Sequence, residues 1–167
     1  WMSKWVSTWS YHFGRYEPFF YRCANVSFHI LTGVIIYYFF SIALRRLNQE
    51  TFFFRNARTL ALMVAGIFLL HPVQTQTVSY IVQGQMEGLA GLFVMATLLS
   101  FLLFNQVKSP AASYFWGFAL YLCAFLSCGT KEIAIVTPFL VLLTDWFFVA
   151  QGSWESLKKR WFLHASI

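Results

Sequence analysis

The chain has 167 residues, of which 59% are hydrophobic, 21% aromatic and only 11% charged, with a formal net charge of +6. A soluble domain carries roughly 25% charged residues, so this composition excludes an ordinary soluble enzyme, a disordered tail, a collagen-like fibre and a nucleic-acid module. It points to an all-α, polytopic membrane bundle in which basic residues report sidedness rather than a polyanion partner. Three cysteines, two of them at 123 and 128 inside an apolar run and Cys23 at the head of another, make no disulfide framework and read as small buried hydrophobes. Because Trp1 rather than methionine begins the sequence, the expectation is a segment of a longer protein.

The stretch 1–21 reads as an extracytoplasmic loop or an interfacial segment. Cys23 to Leu44 is 22 residues without a formal charge; as a helix it rises about 33 Å, enough for a hydrocarbon core of about 30 Å. Between Arg45 and Arg58 four arginines stand against Glu50 alone, which predicts a cytoplasmic loop. The next run, Leu60 to Leu70, has only 11 residues and needs extension, either through Phe52–Phe54 or past a kink at Pro72. A second span over 55–71 is expected to reach the far surface near His71. From Gln74 to Gln85 the chain is polar but uncharged, with Gln74, Gln76, Gln83 and Gln85, which suits a short helix or loop at an interface.

Further spans are expected over 88–104, with Glu87 at its mouth, over 111–128, and over 133–150, with Asp145 inside it. A basic tail or loop, 151–167, follows with Lys158, Lys159 and Arg160. Five crossings place Arg45, Arg46, Arg55, Arg58, Lys108, Lys158, Lys159 and Arg160 on one side, against Lys4, Arg15, Arg22 and Lys131 on the other. Eight against four predicts a non-cytoplasmic amino end and a cytoplasmic carboxyl end. This topology gathers three separate polar features, the 71–87 segment, the Lys131-Glu132 turn and the amino-terminal stretch, on one non-cytoplasmic face. There Gln74, Gln76 and Gln85 are expected to line a polar cavity.

Each candidate has two readings. Lys131 would neutralise a phosphate, with Glu132 orienting it or binding a divalent metal or a hydroxyl; alternatively the pair is a solvated turn capping two helices. Glu87 is either a general base or cation ligand, or a carboxylate favoured at a helix start. His71, before Pro72, either holds phosphate or caps a helix. Asp145, next to aromatic residues near an interface, reads as a structural helix-end group, and His29 has no second histidine at its depth with which to hold haem. Asn25-Val-Ser27 matches a glycosylation sequon but overlaps the first span, and Gly84 with Gly88 forms a small-residue pair suited to close helix packing. No metal-ligand spacing is present.

The string from His71 through Pro72, Gln74, Gln76 and Tyr80 to Val82, followed by Leu89 to Phe93, resembles the extracytoplasmic signature of polytopic glycosyltransferases of the C-type fold. The group it is most similar to is the bacterial relatives of the transmembrane and tetratricopeptide-repeat O-mannosyltransferases. Lys131-Glu132 with Pro138 and Asp145 resembles that family's lysine-glutamate, proline, aspartate pattern, and Asn25 with His29 its helix start. The resemblance implies transfer of a sugar, mannose-like, from a polyprenyl-phosphate carrier to a protein or glycan acceptor on the non-cytoplasmic face. Lys131 and His71 would then meet the donor phosphate, Glu87 and Glu132 would be second-tier carboxylates that orient donor or acceptor and only weak catalytic candidates, and the family's catalytic acid would lie in a loop outside this segment. Between Trp1 and Tyr21 the only acid is Glu17, and Gly84 to Glu87 lacks the family's arginine. A second function class therefore stands beside the first: a non-catalytic accessory subunit packing with other membrane proteins and lipids.

Overall fold

The computed structural model describes residues 2–15 and 17–167, and every described segment of regular structure is helical. The order is α1 (Met2–Gly14), α2 (Pro18–Leu44), α3 (Phe52–Arg55), α4 (Ala57–Leu70), α5 (Thr75–Ser79), α6 (Ile81–Phe104), α7 (Pro110–Cys128), α8 (Thr137–Thr144), α9 (Trp154–Lys158) and α10 (Trp161–Ser166). Proline opens α2 and α7 at positions where a helix has no use for its missing N–H, and Pro72 ends α4. Four segments are long and apolar enough to cross a membrane: Pro18–Leu44, Gln83–Phe104, Pro110–Cys128 and Glu132–Val149. A fifth crossing is available if α4 and the Pro72–Ser79 segment, bent 48° from it, count as one broken span. The chain is a multi-span integral membrane protein.

The helices pack in the order α4, α2, α6, α7, with α8 also against α6. The buried centre is Phe39 and Ala43 of α2, Leu98, Phe101 and Leu102 of α6, Leu120 of α7 and Val141 of α8. On α4 the buried positions are Ala57, Ala61 and Ala65, a stripe with period four that lets its backbone approach α2. A Cβ on Gly33 would lie 2.6 Å from Leu69 Cδ2, so the missing side chain is what seats Leu69. The outward faces carry Ile30, Ile67, Phe118, Phe125 and Phe139, all exposed. In water this apolar surface would aggregate; against lipid it is the appropriate face.

The exposure of two cysteines differs from the expectation. Cys23 and Cys128 are exposed rather than buried, and Cys123 is partly buried. Asn25 is fully buried within α2, and its Nδ2 donates to the Tyr80 carbonyl at 2.8 Å, so the sequon asparagine is a helix-packing residue. The last crossing also changes character along its length: a 3-10 turn at Glu132–Val136, then α8, then a π-turn at Asp145–Val149. In the π-turn the Ala150 N–H donates to the Asp145 carbonyl at 2.7 Å, five residues back. Gln151 and Gly152 then take φ of 49° and 78°, a left-handed pair that reverses the chain.

That reversal brings the tail back under the bundle. Asp145 has no solvent exposure, and Arg160 meets its carboxylate twice, Nε to Oδ2 at 2.8 Å and Nη2 to Oδ1 at 2.6 Å. His164 Nε2 donates to Oδ2 at 2.7 Å. A bidentate guanidinium and an imidazole thus satisfy a carboxylate that hydrocarbon would not tolerate alone. Arg160→Ala strands that charge, and its expected cost is about 3–5 kcal/mol. Unfolding of the purified protein in mixed micelles measures it; Lys158→Ala, close by in the tail but making no bond to Asp145, is expected to leave the midpoint where it was.

Candidate functional site

At the end of the bundle opposite Asp145, the start of α2, the end of α4, the start of α6 and the turn after α7 come together. Glu87 lies on the second turn of α6 and Lys131 in the turn after α7, 44 positions away in sequence. Lys131 Nζ donates to Glu87 Oε1 at 2.7 Å, and Gln83 Nε2, one helical turn before Glu87, donates to the same oxygen at 3.2 Å. The two charged side chains retain 34% and 25% of their exposure, so neither is sealed inside the bundle.

Beside this pair is a cavity of about 210 Å³ whose polar lining is His29, Thr32, Gln74, Thr77 and Glu87. His29 Nε2 donates to the Leu69 carbonyl at 3.1 Å, which fixes the proton on that nitrogen and leaves Nδ1 buried without a partner. The Asn25 amide ties the start of α2 to Val78 and Tyr80, holding the α5–α6 corner against α2, and its Oδ1 is likewise buried and unpartnered. The corner is tight because Gly84 has no side chain: a Cβ there would fall on the Thr77 carbonyl oxygen and 2.7 Å from Asn25 Nδ2.

The predicted residues do not form a single cluster. Glu87 and Lys131 meet, and Gln74 reaches the cavity that Glu87 lines. Gln85 is fully buried on the other face of α6, where its Oε1 accepts from Ser7 Oγ and its Nε2 donates to Ser10 Oγ, both at 2.8 Å. It clamps α1 to the bundle, as does the Met2 N–H on the Gly129 carbonyl at 2.9 Å. Gln76 and Glu132 are exposed and stand outside the cavity. His71 is exposed, and its Nδ1 accepts from the Val73 N–H at 3.2 Å, which caps the turn begun by Pro72.

His29, Thr32 and Asn25 belong to the polar layer but are not among the site residues the sequence suggests. Their signal was the spacing: positions 25, 29 and 32 repeat at four and three, a polar stripe down one face of an otherwise apolar helix. Among the described residues, no group of three or more His, Cys, Asp or Glu side chains is arranged to hold a metal ion. Chemically, the end of the bundle offers a solvent-reachable ammonium, a carboxylate sharing its charge, and a small polar cavity with an unused imidazole nitrogen.

Comparison of the chain with protein-family models, with curated proteins and with solved structures returns no match.

Substitution at the α5–α6 corner should be felt by the whole fold. Gly84→Ala pushes the Thr77 carbonyl and the Asn25 amide apart, with an expected loss of about 1–3 kcal/mol. Gly91→Ala, whose Cβ meets open space, is expected to be nearly neutral. Thermal unfolding of the two variants side by side checks this.

Proposed function

We propose that this end of the protein handles transfer of a mannose-like sugar from a polyprenyl-phosphate carrier to a hydroxyl of a protein or glycan acceptor, on the non-cytoplasmic side of the membrane. In such a reaction the acceptor oxygen bonds to the anomeric carbon as the bond from that carbon to the phosphate oxygen breaks. The acceptor proton goes to a carboxylate, and the electron pair leaves with the polyprenyl phosphate. A cation placed where that negative charge develops lowers the barrier, and a site opening sideways to lipid admits the polyprenyl tail.

The observation that carries the reading is the Lys131–Glu87 pair, 2.7 Å apart at the mouth of two spans and beside a polar cavity. A lysine is kept at membrane depth only if its charge has an occupation, and Glu87 supplies one until a phosphate takes its place. On donor binding, Lys131 would exchange the Glu87 carboxylate for phosphate, and the released carboxylate would be free to accept a proton. His71 and Glu132, exposed on the same end, would contact donor or acceptor from the aqueous side. Sidedness in this proposal follows the arginine-rich end, where Arg45, Arg46, Arg55 and Arg58 cluster and which the positive-inside rule assigns to the cytoplasm.

One observation favours a second reading. Lys131 and Gln83 both bond Glu87 Oε1, so the pair is satisfied as it stands and pins the last crossing to α6. That is what a non-catalytic subunit of a larger membrane assembly would need.

The two readings separate in an assay of the full-length protein in lipid nanodiscs with polyprenyl-phosphate mannose as donor. Lys131→Ala is expected to lower turnover by about 10²–10³-fold, the scale of losing one charge-stabilising donor, while Lys131→Arg keeps a measurable fraction. Turnover unchanged in Lys131→Ala would overturn the phosphate role. Absence of turnover in the wild type, together with copurification at fixed stoichiometry with other membrane proteins, would select the accessory reading.

A further inference from the structure

The opposite end of the bundle holds a second polar cavity that the proposed transfer does not use. It has a volume of about 590 Å³ and lies where the end of α2, the start of α4 and the end of α6 meet; Tyr37, Ser41, Arg45, Arg46, Arg58 and Asn105 line it. Three arginines therefore line one space, and no acidic residue is among those lining it.

The three arginines differ in how they are held. Arg46 is anchored: its Nη2 donates to the Leu102 carbonyl at 2.8 Å, and its own carbonyl accepts from Gln151 Nε2. Its guanidinium is half-buried, and burial first, then the like charge of Arg160, lower its pKa from the ordinary arginine value, Asp145 pulling the other way. The Asp145 carboxylate is already engaged by Arg160 and His164. Arg45 and Arg58 are exposed, and among the described residues neither makes an ion pair; Glu50, the one acid of their loop, is paired with neither. Ser41 adds an independent sign, because its hydroxyl oxygen is buried with no hydrogen-bond partner. The cavity thus combines unneutralised positive charge with an unused hydroxyl.

The position of the cavity limits what can fill it. Arg45 directly follows the last apolar residue of α2, so the guanidinium layer lies at the level of the lipid headgroups, while Ile42 and the exposed Tyr38 border the cavity on the hydrocarbon side. An occupant must be anionic at one end and apolar at the other. We propose that this cavity is a binding site for the phosphate headgroup of an anionic glycerophospholipid, held by Arg45, Arg46 and Arg58, with Ser41 and Tyr37 donating to its ester or phosphate oxygens. Basic pockets between membrane helices recognise such headgroups by charge, and guanidinium meets phosphate oxygens in pairs. The site is separate from the Lys131 end, and its test does not depend on sugar transfer.

The experiment is native mass spectrometry of the full-length protein released from nanodiscs containing equal amounts of phosphatidylcholine and phosphatidylglycerol. Wild type is expected to retain phosphatidylglycerol in preference to phosphatidylcholine. In the double variant Arg45→Gln, Arg58→Gln that preference is expected to fall by about tenfold or more. Both side chains are exposed and unpaired, so the fold should hold, and an unchanged melting temperature verifies it. A second double variant, Lys158→Gln, Lys159→Gln, removes the same charge from the tail and is expected to keep the preference. Equal loss in the two double variants would overturn the site in favour of general surface charge. Inorganic phosphate or glycerophosphate added in competition separates a headgroup from a free anion: displacement of the lipid at equal concentration would also overturn the proposal. Equal retention of the two lipids by the wild type would do so outright.

Discussion

Hydrocarbon leaves no polar group unpaired without a cost of several kcal/mol, and that constraint accounts for the partners that Asp145, Glu87, Gln85 and the Asn25 amide find. The clearest case is Asp145, a carboxylate with zero exposure on an apolar helix. Its two oxygens collect two bonds from Arg160 and one from His164, both from the tail that follows the last crossing. Between the carboxylate and these partners the chain runs through a π-turn and two left-handed residues, which turn the tail back toward Asp145. The same constraint pairs Glu87 with Lys131, buries Gln85 against two serines, and turns the Asn25 amide toward backbone carbonyls exposed by the bend before α6.

The pairings lie toward two ends of the bundle, and the apolar core of Phe39, Leu98, Phe101, Leu102, Leu120 and Val141 packs against the tail at the Asp145 end. One end carries an ion pair with a small polar cavity and few basic residues; the other carries guanidinium groups in excess. These are different chemical environments on opposite surfaces. The first has a cation balanced by a carboxylate. The second holds the Arg160–Asp145 pair and, beside it, Arg45 and Arg58, which make no ion pair among the described residues. An α-helix delivers both conditions from one continuous segment, since α2 contributes Asn25 and His29 to one end and leads directly into Arg45 and Arg46 at the other.

Much of the all-α, multi-span character was legible because a charge-free run of 17 or more residues has the length that a bilayer core demands and a soluble core does not. The ends of the helices were less so. Ile81 to Glu87 lies on α6 although its glutamines read as interface or loop, because helical geometry puts Gln85 on the α1 side and Gln83 beside Glu87 one turn on. Residues 2–14 form a helix whose exposed Trp5, Trp9 and Phe13 suit an interface, while its serines hold Gln85. The candidate site was legible in part: Glu87 and Lys131 were each suspicious as charges beside apolar runs, and Gln74 as an amide at depth. Their pairing needed the tertiary fold, as did the partners of Asp145, because helix packing and not sequence distance sets such contacts. The Nε2 of His29 is taken up by the Leu69 carbonyl, a partner that only the packing of α2 against α4 reveals.

Glu87, Lys131 and the small polar cavity lie at one end of the bundle, and Arg45, Arg46 and Arg58 at the other. The most direct measurement of this arrangement is labelling by a membrane-impermeant maleimide in sealed vesicles of known orientation, after Cys23, Cys123 and Cys128 have been replaced by alanine. Single substitutions His71→Cys, Glu132→Cys, Arg58→Cys and Lys108→Cys, all at exposed positions, supply the reporters. Positions 71 and 132 are predicted to label from one side and positions 58 and 108 from the other. Labelling of 71 and 132 from opposite sides would contradict the arrangement.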